Sequence, residues 1–342
     1  MTTSALALVL LGGVLAALFI VPTTTTPRWE WENIWGLGSL LALVLVPWPL
    51  AWLTVPHLLD VYRAAGFWPV ALSSLFGVGW GLGGIFWGQA IVMVGLGLGT
   101  SIMVGLVNIF GSPVPLAIKN PALLISPGGL LLLAAMAVLI GGVAVCTLAG
   151  KSRDVELARL APGAVVVVRR SFAIAMLFCL LAGALSAMTN FGPIFGQSVV
   201  KAAAAAGASQ LGKMNAMWAA LFTANYLVNG GYAFWLMSRR KTLYLLFQKG
   251  SSGYWLQALF MGVAGPMSLV VYGMGVNRMG TYGAYTAYPM FLGAMILTGN
   301  TVGVLRGEWR GVSARTRGVM FGGVLILVLA FIILGRSNQL LS

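Results

Sequence analysis

Long uncharged runs separated by short, basic connections set the pattern of this chain. One of them, Gly77–Gly105, reads GVGWGLGGIFWGQAIVMVGLGLGTSIMVG and carries no charge from end to end. About 20 apolar residues already span a bilayer. The run therefore predicts one helix, a tight turn near Val94–Gly99, and the start of a second helix. The same count along the chain predicts ten spans, at roughly 5–22, 33–56, 67–93, 95–117, 128–149, 171–198, 211–237, 253–275, 280–304 and 317–335. The most polar long connection, 151–170, divides them into five spans within 1–150 and five within 171–342. Five is odd, so the two halves must cross the membrane in opposite senses. The expected fold is an all-α integral membrane protein, built as two inverted-topology five-helix repeats.

Glycines within the organising run recur at small-xxx-small spacing: Gly79 with Gly83, Gly84 with Gly88, Gly95 with Gly99. In lipid, apolar side chains gain little by packing on one another, so close backbone approach supplies the attraction between helices. Trp80 and Trp87 are seven apart and share a helix face. The pattern returns in the second half of the chain: Trp87-Gly88-x-Ala90 followed by Gly95 matches Tyr272-Gly273-x-Gly275 followed by Gly280, and Gly77 matches Gly262. Glycine-interrupted spans at corresponding positions of two repeats point to a transporter's binding site.

Composition narrows the class. At 59% hydrophobic and 8% charged residues, the chain is not a soluble globule. Its net charge of +14 would suit a nucleic-acid binder, but the basic residues sit between apolar runs, which makes them a topology signal and not a nucleic-acid surface. With the amino terminus outside, the cytoplasmic connections hold 14 of the 20 basic residues, among them Arg28, Lys151, Arg169, Arg170, Arg240 and Arg306. Both termini are therefore expected on the outer side of the membrane. The stretch from Met1 to Pro22 lacks a basic leader region and a cleavage site, which predicts a retained first span. Cys146 and Cys179 fall inside apolar runs and read as small hydrophobes.

All six acidic residues lie at span ends or in connections, and no pattern of His, Cys, Asp or Glu has metal-ligand or catalytic spacing. No metal, cofactor or enzymatic activity is expected. What the spans hold instead is amides and aromatic rings: Gln89, Asn108, Asn190, Asn225, Tyr272, and the tyrosines 282, 285 and 288. Amides exchange paired hydrogen bonds with hydroxyls, and ring faces pack on the C–H face of a sugar. A cationic ligand would need a buried carboxylate, and an anion a buried Lys or Arg. The set suits a small neutral sugar, with membrane lipids as the surrounding partner.

The run WEWENIWGLGSLLALVLVPWPLAWLTVPHLLDVY, the hairpin WGLGGIFWGQAIVMVGLGLG, the stretch KAAAAAGAS and the GEWRG after the ninth span resemble the bacterial L-rhamnose–proton symporter family of the drug/metabolite transporter superfamily. The resemblance implies ten helices in two inverted repeats, a central cavity, and sugar uptake coupled to protons. Such members carry an acidic residue among the tyrosines of the ninth span, where Ala284 is nearest here, and a basic residue late in the third, where Ile91–Val94 stands.

The expected function is a secondary carrier for a neutral sugar or deoxysugar of the L-rhamnose kind, working by alternating access. Trp80, Trp87, Gln89, Asn108, Asn190, Asn225, Tyr272, Tyr282 and Tyr285 are the substrate-binding candidates. For coupling, the titratable candidates are His57, Asp60 and Glu32. With no carboxylate at mid-span, coupling is expected to be weak or absent, or to use an ion other than the proton. The alternative is a membrane-embedded transferase or flippase acting on lipid-linked sugars, which would draw on Glu30, Glu32 and Asp60 at the membrane surface.

Overall fold

A computed structural model describes residues 3–94, 96–160 and 172–341. It is 85% helical, with no strand among the described residues. Nine stretches among them are long and apolar enough to cross a membrane. The seventh predicted span, 211–237, is a 26-residue helix, Asn215–Arg240, that falls short of that apolarity. It carries Asn215, Thr223, Asn225 and Asn229, and every residue from Asn215 to Phe222 is buried. Its first half, enclosed by protein, needs no apolar surface for lipid and can have its amides met by neighbouring side chains, whereas its second half exposes Leu227, Phe234 and Trp235.

The chain divides into two compact units, and each draws on both halves of the sequence. One unit comprises Thr2–Leu82 and Met188–Arg278. It holds α1 (Thr3–Leu18), α2 (Trp31–Leu40), α3 (Pro47–Thr54), α4 (Leu58–Ala65) and the first part of α5 (Phe67–Val94). The other unit holds the rest of α5, then α6 (Leu96–Gly111), α7 (Pro113–Lys119), α8 (Pro121–Leu124), α9 (Pro127–Leu160) and α10 (Phe172–Ser186). The chain returns to the first unit for α11 (Met188–Phe195), α12 (Gln197–Ala205), α13 (Asn215–Arg240) and α14 (Ser252–Arg278). It ends in the second with α15 (Gly283–Leu305) and α16 (Ala314–Leu341).

In the first unit, α1 and α14 pack antiparallel at very close range. A Cβ at Gly12 would lie 2.7 Å from the Ser268 carbonyl oxygen, and one at Gly275 would lie 2.7 Å from Val9. The second expected span is broken: α2 passes through a π-helical turn at Leu41–Leu45 before Pro47 starts α3. Proline supplies no N–H to the turn before it, so the ladder must reorganise there. In the second unit, α9 and α16 run antiparallel over their whole length, with Gly128 against Leu341, Gly142 against Leu327 and Gly323 against Cys146. Both cysteines are buried and unbonded.

The predicted turn near Val94–Gly99 centres on Gly95, which lies outside the described residues; Phe67–Val94 and Leu96–Gly111 on either side of it are helical. The corresponding turn joins α14 to α15 and contains Gly280, whose φ of +87° is a left-handed conformation that only glycine adopts without strain. The first part of the polar connection, from Lys151, prolongs α9 to Leu160; Arg169 and Arg170 lie outside the described residues.

Candidate functional site

The nine substrate candidates are shared between the units: Trp80, Asn190, Asn225 and Tyr272 in the first, Trp87, Gln89, Asn108, Tyr282 and Tyr285 in the second.

In the first unit three of the candidates make buried side-chain hydrogen bonds. Tyr272, fully buried on α14, donates its hydroxyl to the Asn190 side-chain oxygen on the broken α11. Asn229 donates to the Asn225 oxygen at 2.8 Å, one turn along α13. Trp80 packs against Phe222 with ring centroids 6.1 Å apart, and Phe222 stacks on Trp218 at 5.3 Å. Trp80, Phe222 and Trp218 therefore form a row of rings beside the buried amides. Sequence reasoning missed Trp218 and Phe222. Their four-residue spacing on one helix, bracketed by Asn215 and Asn225, was the available signal.

Close approach in this unit comes from glycines on α5. A Cβ at Gly77 would lie 1.9 Å from the Leu221 carbonyl oxygen, and one at Gly81 would meet Val228 at 2.8 Å. Gly79 faces Met188 of α11. The glycines at 77 and 81 thus form a second small-xxx-small pair, facing α13, beside the predicted pair at 79 and 83. Gly83, in the other unit, faces the backbone of α10 at Ser186. Gly88 has nothing within 4 Å of its Cβ position, so it plays no part in close packing here.

The aromatic–acidic collar around the start of α2 clamps the end of α13 and the chain that follows it. Trp29, buried, donates its indole N–H to the Leu245 carbonyl at 2.9 Å, and Asn33 donates to the Thr242 carbonyl at 2.9 Å. Glu32 is 0% exposed and accepts from Arg240 at 3.3 Å and from the Thr242 hydroxyl at 3.1 Å. Its position in the first turn of α2 also sets a carboxylate against the positive end of a helix dipole. Of the collar's tryptophans 29, 31 and 35, only Trp31 is exposed, stacked on Trp35, as an interfacial ring would be.

Farther along, Trp48 of α3 donates to Thr223 at 2.8 Å and Tyr62 of α4 to the Ala216 carbonyl at 2.8 Å. Burial raises the Tyr62 hydroxyl above its ordinary pKa, which keeps it protonated and a donor. The other titratable candidates lie at the surface of the same unit. His57 is exposed, in a left-handed conformation at the start of α4, and exposed Asp60 pairs with Arg63 at 2.7 Å. Among the described residues, which include all six acidic side chains, Glu32 alone is fully buried.

In the second unit the candidates are more dispersed. Trp87 packs in an apolar cluster with Ala90, Met103 and Cys179, and Gln89 is exposed near the end of α5. Asn108 is buried; its amide donates to the Val104 carbonyl at 2.9 Å and its side-chain oxygen has no partner. Tyr282 caps α15 with its ring 6.3 Å from that of buried Tyr285, whose carbonyl accepts from the Ser112 hydroxyl. Ala284 falls in the first turn of α15, away from the middle of the helix.

Comparison with known proteins fixes the family. A relative from Citrobacter koseri named L-rhamnose-proton symporter is 24% identical over 335 residues, which covers 96% of each chain. Another of that name from Yersinia pestis is 24% identical over 335 residues, covering 95% of each. A family model described as L-rhamnose-proton symport protein matches residues 2–338, so the motif-level resemblance extends over the whole described helical scaffold. By that match, this multi-pass helical chain belongs to the L-rhamnose-proton symport protein family.

Proposed function

We propose that the protein takes up L-rhamnose, or a neutral deoxysugar close to it, across the bacterial inner membrane together with protons. As a member of its family it is a secondary carrier, and the transferase or flippase alternative is not favoured. The observation that carries the sugar reading is the uncharged cluster of the first unit, where Tyr272, Asn190, Asn225 and Asn229 offer amides and a phenol beside a row of rings. A buried site without charge discriminates against ionic ligands, because an unpaired charge brought into it carries a large desolvation cost. Trp87, Gln89, Asn108, Tyr282 and Tyr285 of the second unit are proposed as further substrate contacts.

Proton coupling is supported by the names of the relatives and by Glu32. The expectation of weak coupling rests on the lack of a mid-span carboxylate. Glu32 is at a helix end, yet it is buried, paired with the Arg240 guanidinium and hydrogen-bonded by the Thr242 hydroxyl. It ties the collar to the end of α13, the helix that carries Asn225. In this reading α13 crosses the membrane as the seventh of ten spans, the halves are inverted five-helix repeats, both termini are periplasmic, and the glycine contacts let helices shift during alternating access.

The test is uptake of radiolabelled L-rhamnose by proteoliposomes, with and without a pH gradient that is acid outside. Accumulation driven by the gradient, with alkalinisation of a weakly buffered exterior, is the expected result. Equal uptake with and without the gradient would remove the coupling, and no uptake of any neutral sugar would remove the substrate class.

A further inference from the structure

We infer that Trp218 is a specificity-determining residue whose indole N–H donates a hydrogen bond to one hydroxyl of the transported sugar; this rests on the sugar-carrier reading. Trp218 is 1% exposed, and its Nε1 is buried without a hydrogen-bond partner. The great majority of buried polar groups in folded proteins are paired, and an orphan carries a desolvation cost with no return. A phenylalanine would fill most of the same space without that cost. The ring itself is well held: it stacks on Phe222 at 19° between planes, and Phe222 packs against Trp80. Stacking accounts for an aromatic residue at 218, but not for a donor.

The surroundings point to a ligand. The residue facing the indole nitrogen is Gly273, where a Cβ would stand 3.1 Å from Nε1. The same Cβ would stand 3.0 Å from the Met214 sulfur, so any side chain at 273 would crowd both the N–H and the sulfur, and glycine lets α14 come this close to the indole. Gly273 follows Tyr272 within the Tyr-Gly-x-Gly motif that repeats the Trp-Gly-x-Ala of α5. The unpaired donor therefore adjoins the motif that bears the buried Tyr272–Asn190 pair. An indole N–H is donor only, so it can serve a hydroxyl oxygen of a sugar and gains nothing from a C–H group. A site built to bond one hydroxyl rejects the analogue that lacks it, which is how a single donor sets specificity.

The test compares wild type with Trp218→Phe in proteoliposomes, using L-rhamnose and its 2-, 3- and 4-deoxy analogues. Trp218→Phe should raise the KM for L-rhamnose about 2- to 10-fold, the range for one neutral hydrogen bond, and leave the maximal rate little changed. For the one analogue that lacks the bonded hydroxyl, the two proteins should share one KM. An L-rhamnose KM unchanged by the substitution, or a rise of equal size for every analogue, would overturn the assignment. If Trp218→Phe fails to reach the membrane, Gly273→Ala takes its place with the same panel, since its methyl would crowd the same nitrogen. Failure of the wild type to take up L-rhamnose would instead strike the carrier reading, and that result is read before any variant is compared.

Discussion

Alanine at Gly77 should part α5 from α13. The added Cβ would sit 1.9 Å from the Leu221 carbonyl oxygen and 3.1 Å from the Ala224 Cβ. Ordinary contact begins at 3.4 Å, so the two backbones must move apart at this level by the difference. The obstructing atom is backbone within a helix turn buried from Asn215 to Phe222, and it cannot swing aside as a methionine tip could. A radial gap of even roughly 0.5–1 Å forfeits a quarter to a half of a contact's dispersion energy. Overpacking of this kind costs about 1–3 kcal/mol, and a backbone clash places Gly77→Ala at the upper end of that range. Gly88→Ala is the matched control, because nothing lies within 4 Å of its Cβ position. There alanine should be neutral, or slightly favourable through helix propensity, by up to about 1 kcal/mol.

The assay heats detergent-solubilised protein and measures the fraction that stays monodisperse, with sugar uptake measured in parallel. Gly77→Ala should lose its monodisperse fraction at a clearly lower temperature than wild type and should transport poorly, while Gly88→Ala tracks wild type in both. Coincident midpoints for the two variants would refute the close-packing argument.

Glu32→Gln should keep sugar binding but abolish the gradient-driven part of uptake, whereas His57→Gln should transport as wild type; medium alkalinisation on adding L-rhamnose reads both, and coupling that survives Glu32→Gln would dismiss Glu32. Tyr272→Phe removes the donor to Asn190 and should raise the KM about 2- to 10-fold in radiolabelled uptake, with protein levels in the membrane unchanged. A periplasm-dependent reporter fused after Arg240 should be inactive and one fused at Ser342 active, and the reverse would overturn the charge-based orientation.

The helical, membrane-spanning class was legible from uncharged runs of sufficient length, because a bilayer imposes one dimension on every span. The turn between α14 and α15 was legible for a related reason: a tight turn needs a residue that tolerates a left-handed backbone, and Gly280 meets that demand with a positive φ. Neutral substrate chemistry followed from the kinds of polar residue the spans carry. Pairings between helices were not legible, because hydropathy says that a helix is buried and not what it is buried against. Tyr272 and Asn190 stand far apart along the chain, and only the fold brings hydroxyl to amide. Glu32 looked like an interfacial acid by position, and tertiary packing made it the buried one by folding the collar over the end of α13. Asn215–Arg240 looked like one span among ten, and the fold buried it from Asn215 to Phe222 and at Asn225 and Asn229, which is why it can carry amides there. Trp218 could not be separated from the other tryptophans of the chain. Its unpaired N–H and the glycine facing it meet only in three dimensions, where a missing Cβ on one helix lets its backbone approach a buried donor on another.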